Sequence, residues 1–427
     1  MTTLLIFTLL VAFIMLGLPI AVAMGLTTLI GIAVLGDPVM FEVISQRIYG
    51  GTTSFPLLAI PFFILAGNLM NSGGMTERIF RFAHTLVGHM RGGLGQVNVV
   101  GSMVFAGMSG SALADAMGLG AVEVKAMREK GYEAPFAAAV SAASATVGPV
   151  IPPSIPLVLF GSMTGTSVGA LFLGGVVPGL LMGIAMMVVV AVIARRRNYP
   201  REPRARFVDA LRGLADGLLA IVTPGIIMGG ILAGFFTPTE ASVVACVYAL
   251  FLGMVVYGEL KPAHIPALLL DTVKQTAQVM WIVGVAGLFG WFLILQRVPD
   301  TVIEWMAAFT TNKWVLLTIV NLILLFLGCF MEGLAVMLLT VPILYPIIVK
   351  VGIDPVHFGV LMTLNLMVGL LTPPVGMVLY AMSSVAKVSI TALTRELWPF
   401  MLSILAVLVA ITYAPAFVTW LPDLFLR

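Results

Sequence analysis

Apolar residues run through this chain in long stretches separated by short polar connections, and the same order of stretches recurs twice. In the first half the pattern predicts helices near 2–16, 19–36 and 55–71. A charged amphipathic connector follows at 75–92, then a hairpin-like run at 94–127, an interrupted run at 132–163 and a last run at 166–194. The second half predicts helices near 214–236, 238–258 and 275–295 and a connector at 299–312. A hairpin at 314–350, an interrupted run at 356–386 and a last run at 397–421 complete it. About 20 apolar residues suffice to cross the hydrocarbon core of a bilayer. The chain reads as an all-α polytopic membrane protein, with residues 1–200 as one half and 201–427 as the other.

Composition closes off the soluble alternative. Hydrophobic residues make up 60% of the 427 and charged residues 10%, against roughly 25% charged in soluble domains. No positive charge precedes the first apolar run and no small-residue cleavage site leads into a soluble domain, so that run is expected to stay in the protein. Cys246 and Cys329 both fall inside apolar runs, which argues against a disulfide. The net charge is only +3, yet Arg195, Arg196, Arg197, Arg201, Arg204, Arg206 and Arg212 crowd one polar segment. Basic loops stay in the cytoplasm, and apolar runs on both sides weigh against nucleic acid as the partner of this cluster.

A shift of 221 positions brings unusual residues into register. Phe105 falls on Phe326, Gly107 on Gly328, Val147-Gly148 on Val368-Gly369, Pro152-Pro153 on Pro373-Pro374 and Ser162 on Ser383. Each half then holds five crossings, about ten in all, plus a re-entrant helical hairpin. An odd number per half makes the second half start on the opposite side, the inverted-topology repeat common among secondary transporters. Charge agrees: Arg91 before the first hairpin and Lys125, Arg128 and Lys130 after it share one side, and two further crossings reach the basic cluster. Both chain ends are then expected outside the cytoplasm.

Chemistry concentrates at the breaks. The first hairpin contains GMSGSALAD, Gly107 to Asp115, and its counterpart GCFMEGLAV runs from Gly328 to Val336, with Glu332 where the first has Ser111. Irregular backbone at membrane depth is tolerated where protein buries it or a watery cavity receives it. Small residues also serve close helix packing, and Asp115 suits either an ion or solute path or a cap for the hairpin's second arm. The interrupted runs carry VGPVIPPSIP and VGLLTPPVG, where paired prolines open the helix and free carbonyls. Freed carbonyls and hydroxyls suit a bare monovalent cation, and half-helix N-termini suit an anion. Neither break contains Lys or Arg. Asn68, Asn98, Asn321, Gln275 and Gln278 read as interhelical hydrogen-bonding groups, and Asn365, four residues before Gly369, as closer to a site. A channel is the competing class, since re-entrant hairpins also build filters. An enzyme lacks its constellation here: no Ser-His pair, paired aspartates or HExxH motif is present.

Several segments together resemble one family. They are LGLPIAVAMG near the start, SFPLLAIPFFILAGNLMNSGGMTERI from Ser54, GMSGSALADAMGLG from Gly107 and GPVIPPSIPLVLFG from Gly148. GFFTPTEASVVACVYAL from Gly234 and VGLLTPPVGMVLY from Val368 extend the likeness over nearly the whole chain. The chain resembles the large membrane subunit of tripartite ATP-independent periplasmic (TRAP) transporters. That resemblance implies a multi-pass protein of the bacterial inner membrane working with a small TRAP membrane subunit and a periplasmic substrate-binding protein. It implies Na⁺-coupled import of an organic acid such as a C4-dicarboxylate or sialic acid, with no organic cofactor. It also implies an elevator, in which a transport domain (94–163 and 314–386) slides against a scaffold (1–72 and 214–295) braced by arms at 75–92 and 299–312. Carried over by residue, one Na⁺ site resembles Ser109 with the carbonyls of Gly148, Val150 and Pro153. The repeat supplies a second from Gly328, Met331, Gly369, Leu371 and Pro374. The solute is expected between the hairpin tips, near Ser111, Pro152, Ser154, Glu332, Thr372 and Pro373.

Overall fold

All regular structure among the described residues is helical. The computed structural model describes residues 3–36, 39–199, 207–310 and 312–426, with backbone alone at 3, 39, 108–109, 207–216, 303 and 306–309. The first half holds α1 (Thr3–Met15), α2 (Ile20–Leu35), α3 (Val39–Thr52), α4 (Ala59–Ser72), α5 (Met75–Val87) and α6 (Gly93–Ser109). It continues with α7 (Ala112–Met117), α8 (Leu119–Glu129), α9 (Ala134–Ala145), α10 (Ile155–Thr164) and α11 (Val168–Arg196). The second half holds α12 (Phe207–Leu232), α13 (Pro238–Phe251), α14 (Ile265–Leu295), α15 (Val298–Phe309) and α16 (Lys313–Gly328). Then come α17 (Gly333–Lys350), α18 (Pro355–Gly369), α19 (Met377–Ala386), α20 (Ile390–Tyr413) and α21 (Ala416–Leu426). Among the described residues six segments are long and apolar enough to cross a membrane: Phe55–Ser72, Val168–Arg196, Pro238–Val256, Pro262–Leu295, Gly333–Lys350 and Ile390–Tyr413.

Local chemistry sets many of these ends. Thr237 and Glu240 form a capping box at the start of α13: Glu240 N donates to Thr237 Oγ1 at 3.3 Å, and Thr237 N donates to Glu240 Oε2 at 2.7 Å. Pro238 takes the first helical position, where its missing N–H costs nothing. Asp354 Oδ1 caps α18 by accepting from Val356 N and His357 N. The centre of the protein is built on α9 and α18. Every residue of α9 from Phe136 to Ala145, and of α18 from His357 to Gly369, is buried. Their small and apolar faces let α6, α8, α19 and α20 crowd around α9, and α16, α17, α11 and α20 around α18. Both helices end at a Pro-Pro break.

Four expectations change. The stretch before Thr52, which the apolar pattern leaves without an element, is the helix α3; Gly51 lies against the backbone of Gly284 and Gly287 on α14, and Arg47 lies over the Trp291 ring at 5.2 Å. Close packing of small residues holds a helix that its own hydropathy does not announce. Helix α14 begins ten residues earlier than the apolar run, because the helix continues past the apolar stretch through Asp271 and Lys274. The last run is two helices, since Pro415 lacks an N–H and disfavours helical geometry at Ala414. The second arm of the first hairpin is itself divided at Gly118 into α7 and α8. The connector α5 buries Met75, Ile79, Phe82 and Ala83 against α6 and α12. In the basic segment, Arg197 donates to Glu396 at 2.8 and 2.9 Å and to Glu133 at 3.0 Å, tying α11 to α20 and to the start of α9. The hydrogen bonds to Glu396 raise the guanidinium further above its ordinary value. Arg201, Arg204 and Arg206 and the side chain of Arg212 lie outside the described residues.

Candidate functional site

Four helices begin at one place. The first residues of α7 (Ala112, Leu113), α10 (Ile155, Pro156), α17 (Gly333, Leu334) and α19 (Met377, Val378) all line a single cavity of ≈ 380 Å³. The facing wall comes from α4, with Ile64, Asn68 and Asn71, and from α14, with Gln275, Gln278 and Ile282. The cavity therefore lies between the broken elements and two of the unbroken helices. Ser111 and Glu332 stand at the two hairpin turns and line it; among the described residues no Lys or Arg does.

The sequence explains why the chain breaks here. Helix α6 ends at Ser109, and Gly110 reverses the chain with φ 61, a left-handed conformation that glycine adopts without strain. Ser111 then caps α7, its hydroxyl accepting from Ala114 N at 3.4 Å. Between α9 and α10 the chain turns through Gly148 and the Pro152-Pro153 pair; Ser154 caps α10, donating to the Pro149 carbonyl and accepting from Leu157 N at 3.2 Å. In the second half Cys329 O accepts from Val375 N at 3.2 Å and Gly376 N at 3.4 Å, pinning one break to the other. Both Pro-Pro bonds are cis.

The residues assigned to cation sites gather at these turns. A Cβ on Gly110 would lie 3.0 Å from the Pro153 carbonyl oxygen, and one on Gly107 3.5 Å from that of Pro152. The end of α6 thus rests on the proline carbonyls. Asp115 is buried with Oδ2 against Gly148, where a Cβ would come within 2.5 Å. The Val150 carbonyl packs against Gly175 of α11. The side chain of Ser109 lies outside the described residues. In the second set Gly328 and Gly369 meet backbone to backbone, Met331 and Leu371 are buried beside them, and Pro374 is exposed.

Of the residues expected at the solute, Ser111 and Glu332 line the cavity, while Pro152, Ser154, Thr372 and Pro373 lie outside its lining. The hydroxyls of Ser154 and Thr372 are taken up by their own backbone, Thr372 Oγ1 donating to Val368 O at 2.8 Å. Asn68, Gln275 and Gln278, read from sequence as interhelical groups, face the cavity, and Asn71 joins them. Asn68 does also bond Thr272, at 3.0 Å. The signal available was spacing: 68 and 71, and 275 and 278, each repeat a polar amide at i, i+3 on one helix face. Asn365 is buried away from the cavity and donates to Asn321 Oδ1 at 2.9 Å, with Asn321 donating to Thr412 at 2.9 Å.

Residues 7–417 match the family model described as the tripartite ATP-independent periplasmic transporter, DctM component. The sialic acid TRAP transporter large permease protein SiaM of Vibrio cholerae is 48% identical over 382 residues, covering 90% of each chain. The C4-dicarboxylate TRAP transporter large permease protein DctM of Rhodobacter capsulatus is 39% identical, covering 99% of each. Among solved structures, the YdaH transporter of Alcanivorax borkumensis is similar in fold, with a TM-score of 0.66 at 14% identity over 89% of this chain and 90% of that one.

Proposed function

We infer that this chain, which belongs to the DctM component family of tripartite ATP-independent periplasmic transporters, is the large permease subunit of a carrier importing an organic acid. The observation that carries this reading is the convergence of four helix starts on one cavity. A helix start presents backbone N–H groups with no intrahelical partner, at the positive end of the peptide dipoles. Several around an apolar-walled cavity suit a carboxylate without a lysine or arginine. Glu332, at the start of α17, is held by that same dipole, and a co-bound cation balances the solute.

Na⁺ is the cargo that fits the rest. Carbonyl oxygens at the two Pro-Pro breaks are hard ligands, and we assign one ion to Ser109, Gly148, Val150 and Pro153 and another to Gly328, Met331, Gly369, Leu371 and Pro374. The two halves are read as an inverted repeat. The broken elements carry the solute past α4 and α14 as an elevator in the bacterial inner membrane, supplied by a periplasmic binding protein and completed by a small membrane subunit. The solute class, sialic acid or a C4-dicarboxylate, follows the names of the relatives. The test is uptake into proteoliposomes holding this chain and its small subunit, with loaded binding protein outside. Uptake that rises at least tenfold with an inward Na⁺ gradient (about 1.4 kcal/mol) is expected. Uptake indifferent to the gradient overturns the coupling, and no uptake of any carboxylate overturns the function.

A further inference from the structure

The first hairpin buries a carboxyl group that neither the cavity nor the candidate cation sites use. Glu123, on α8, is 1% exposed, and its Oε1 has no hydrogen-bond partner among the described residues. That oxygen lies over Gly101 of α6, 3.3 Å from where a Cβ would stand. The carboxyl meets the hydroxyl of Ser141 on α9. Behind Ser141 runs a chain of donors. Ser102 Oγ donates to Ser144 Oγ at 2.9 Å, Ser144 Oγ to Asn98 Oδ1 at 2.7 Å, and Asn98 Nδ2 to Ser141 Oγ at 2.5 Å. A hydroxyl has one hydrogen to give, so Ser141, having accepted from Asn98, keeps its own available for the neighbouring Glu123 carboxyl. All of these groups are buried.

Among the described residues, no cation lies on the elements packed most closely against Glu123. The elements packed on α8 are α6, α7, α9 and α19. Helices α6 and α9 contain no ionisable residue, α19 contains only the exposed Tyr380, and α7 contributes Asp115, a second buried carboxyl. Lys125, Arg128 and Glu129 of α8 itself are on its exposed side. An ionised Glu123 is then a buried negative charge with one bare oxygen and a like charge nearby. Uncompensated buried charge costs far more than a neutral hydroxyl lacking an acceptor.

We propose that Glu123 is a proton-binding site of this protein, separate from the carbonyl sites at the Pro-Pro breaks and filled in the conformation described here. The step is a single protonation, carboxylate plus one proton from solvent giving the acid. Its occupancy bears on the cavity because α8 continues from α7, whose first residues line that cavity. Loss of the proton leaves a buried negative charge beside the buried Asp115 carboxyl within one hairpin and disfavours its packing. The proton site stands on geometry alone; its effect on uptake rests on the transport reading above.

Infrared spectroscopy of the purified chain with its small subunit tests the site without any transport. A protonated-carboxyl band is expected at neutral pH, lost in Glu123→Gln and lost from the wild type at alkaline pH. Identical carboxyl bands in wild type and Glu123→Gln overturn the proposal. Should Glu123→Gln not accumulate folded, Ser141→Ala keeps the carboxyl and removes its donor; its band is expected to shift in frequency and persist to higher pH, and an unaltered band overturns the relay. In uptake assays the wild type is expected to fall as the band disappears while Glu123→Gln stays flat across that range. Superimposed pH profiles alongside a positive infrared result overturn the link to the cavity, and an absence of uptake in both leaves the infrared result to decide the site.

Discussion

The two broken regions, 93–164 and 313–386, share an element order and a Pro-Pro break yet are held together differently. In the second, backbone meets backbone: Gly328 and Gly369 touch, and Cys329 O accepts from Val375 and Gly376. In the first, side chains fill the same role. Asp115 fits against Gly148, and Ser102, Ser144, Asn98, Ser141 and Glu123 run as a buried polar chain. At the shift of 221 the counterparts of Asn98, Ser102, Asp115, Glu123 and Ser141 are Ile319, Ile323, Val336, Leu344 and Met362. The breaks belong to the backbone plan, and the buried acids are an addition to one copy of it. Both regions use close backbone contact and buried polar bonds, but the buried acids, which a proton or an ion can alter, belong to the first.

That contrast fixes the largest expected difference between two matched substitutions. A Cβ on Gly369 would lie 2.7 Å from backbone atoms of Gly328, which cannot turn aside. A Cβ on Gly148 would lie 2.5 Å from Asp115 Oδ2, the end of a side chain that can rotate. Gly369→Ala is expected to lose about 3 kcal/mol of stability and Gly148→Ala about 1 kcal/mol, by the usual cost of overpacking. Thermal unfolding of the detergent-solubilised complex measures both. Equal losses break the distinction between a backbone lock and a side-chain lock.

The parts legible in sequence are those that proline, glycine and capping residues impose locally. Pro152-Pro153, Pro373-Pro374 and Gly110 act on their own backbone whatever surrounds them, so the breaks were readable. Which carboxamides face the cavity was not readable, because Asn68 and Gln278 acquire their common wall only when α4 and α14 pack beside the turns. Helix α3 was hidden for a related reason: Glu42, Gln46 and Arg47 lower its hydropathy, and its stability comes from α14. Glu123 was hidden by its neighbours. Beside Lys125, Arg128 and Glu129 it reads as one more charge on a solvated face, yet it is the member of that stretch turned inward.

A middle-sized effect compares the two polar networks. Removing the Asn321 side chain takes away one of the two acceptors of Asn365 Nδ2, which keeps its bond to the Asn321 main-chain oxygen at 3.0 Å, and the donor to Thr412 at once, in a buried site. Each lost hydrogen bond costs about 0.5–1.5 kcal/mol, and with two side-chain bonds lost and the main-chain bond kept Asn321→Ala is expected to lose about 1.5 kcal/mol. Ser102 stands at the head of its chain, donating to Ser144 Oγ at 2.9 Å. Ser102→Ala removes one bond and strands no donor, for an expected loss of about 0.5 kcal/mol. Unfolding midpoints order the pair; a larger loss at Ser102 shows the first network to be cooperative along its whole length.

The smallest difference lies at the entrances to the two central helices. Helix α18 is capped by its own Asp354, whose Oδ1 accepts from Val356 N at 2.8 Å and His357 N at 3.0 Å. At the start of α9, Glu133 makes no such cap and is held instead by Arg197 across 64 positions of sequence. A side-chain cap is worth about 1 kcal/mol and depends little on salt. A largely exposed ion pair is worth about 0.5 kcal/mol after screening, and less as ionic strength shortens the Debye length. Asp354→Ala is therefore expected to lose about twice what Glu133→Ala loses at low salt. Raising the salt should leave the Asp354→Ala deficit in place and erase that of Glu133→Ala. A deficit at Glu133 that survives high salt means that Arg197, stacked over Phe136 at 5.7 Å and forked onto Glu396, holds α9 through packing and fixed geometry more than through charge.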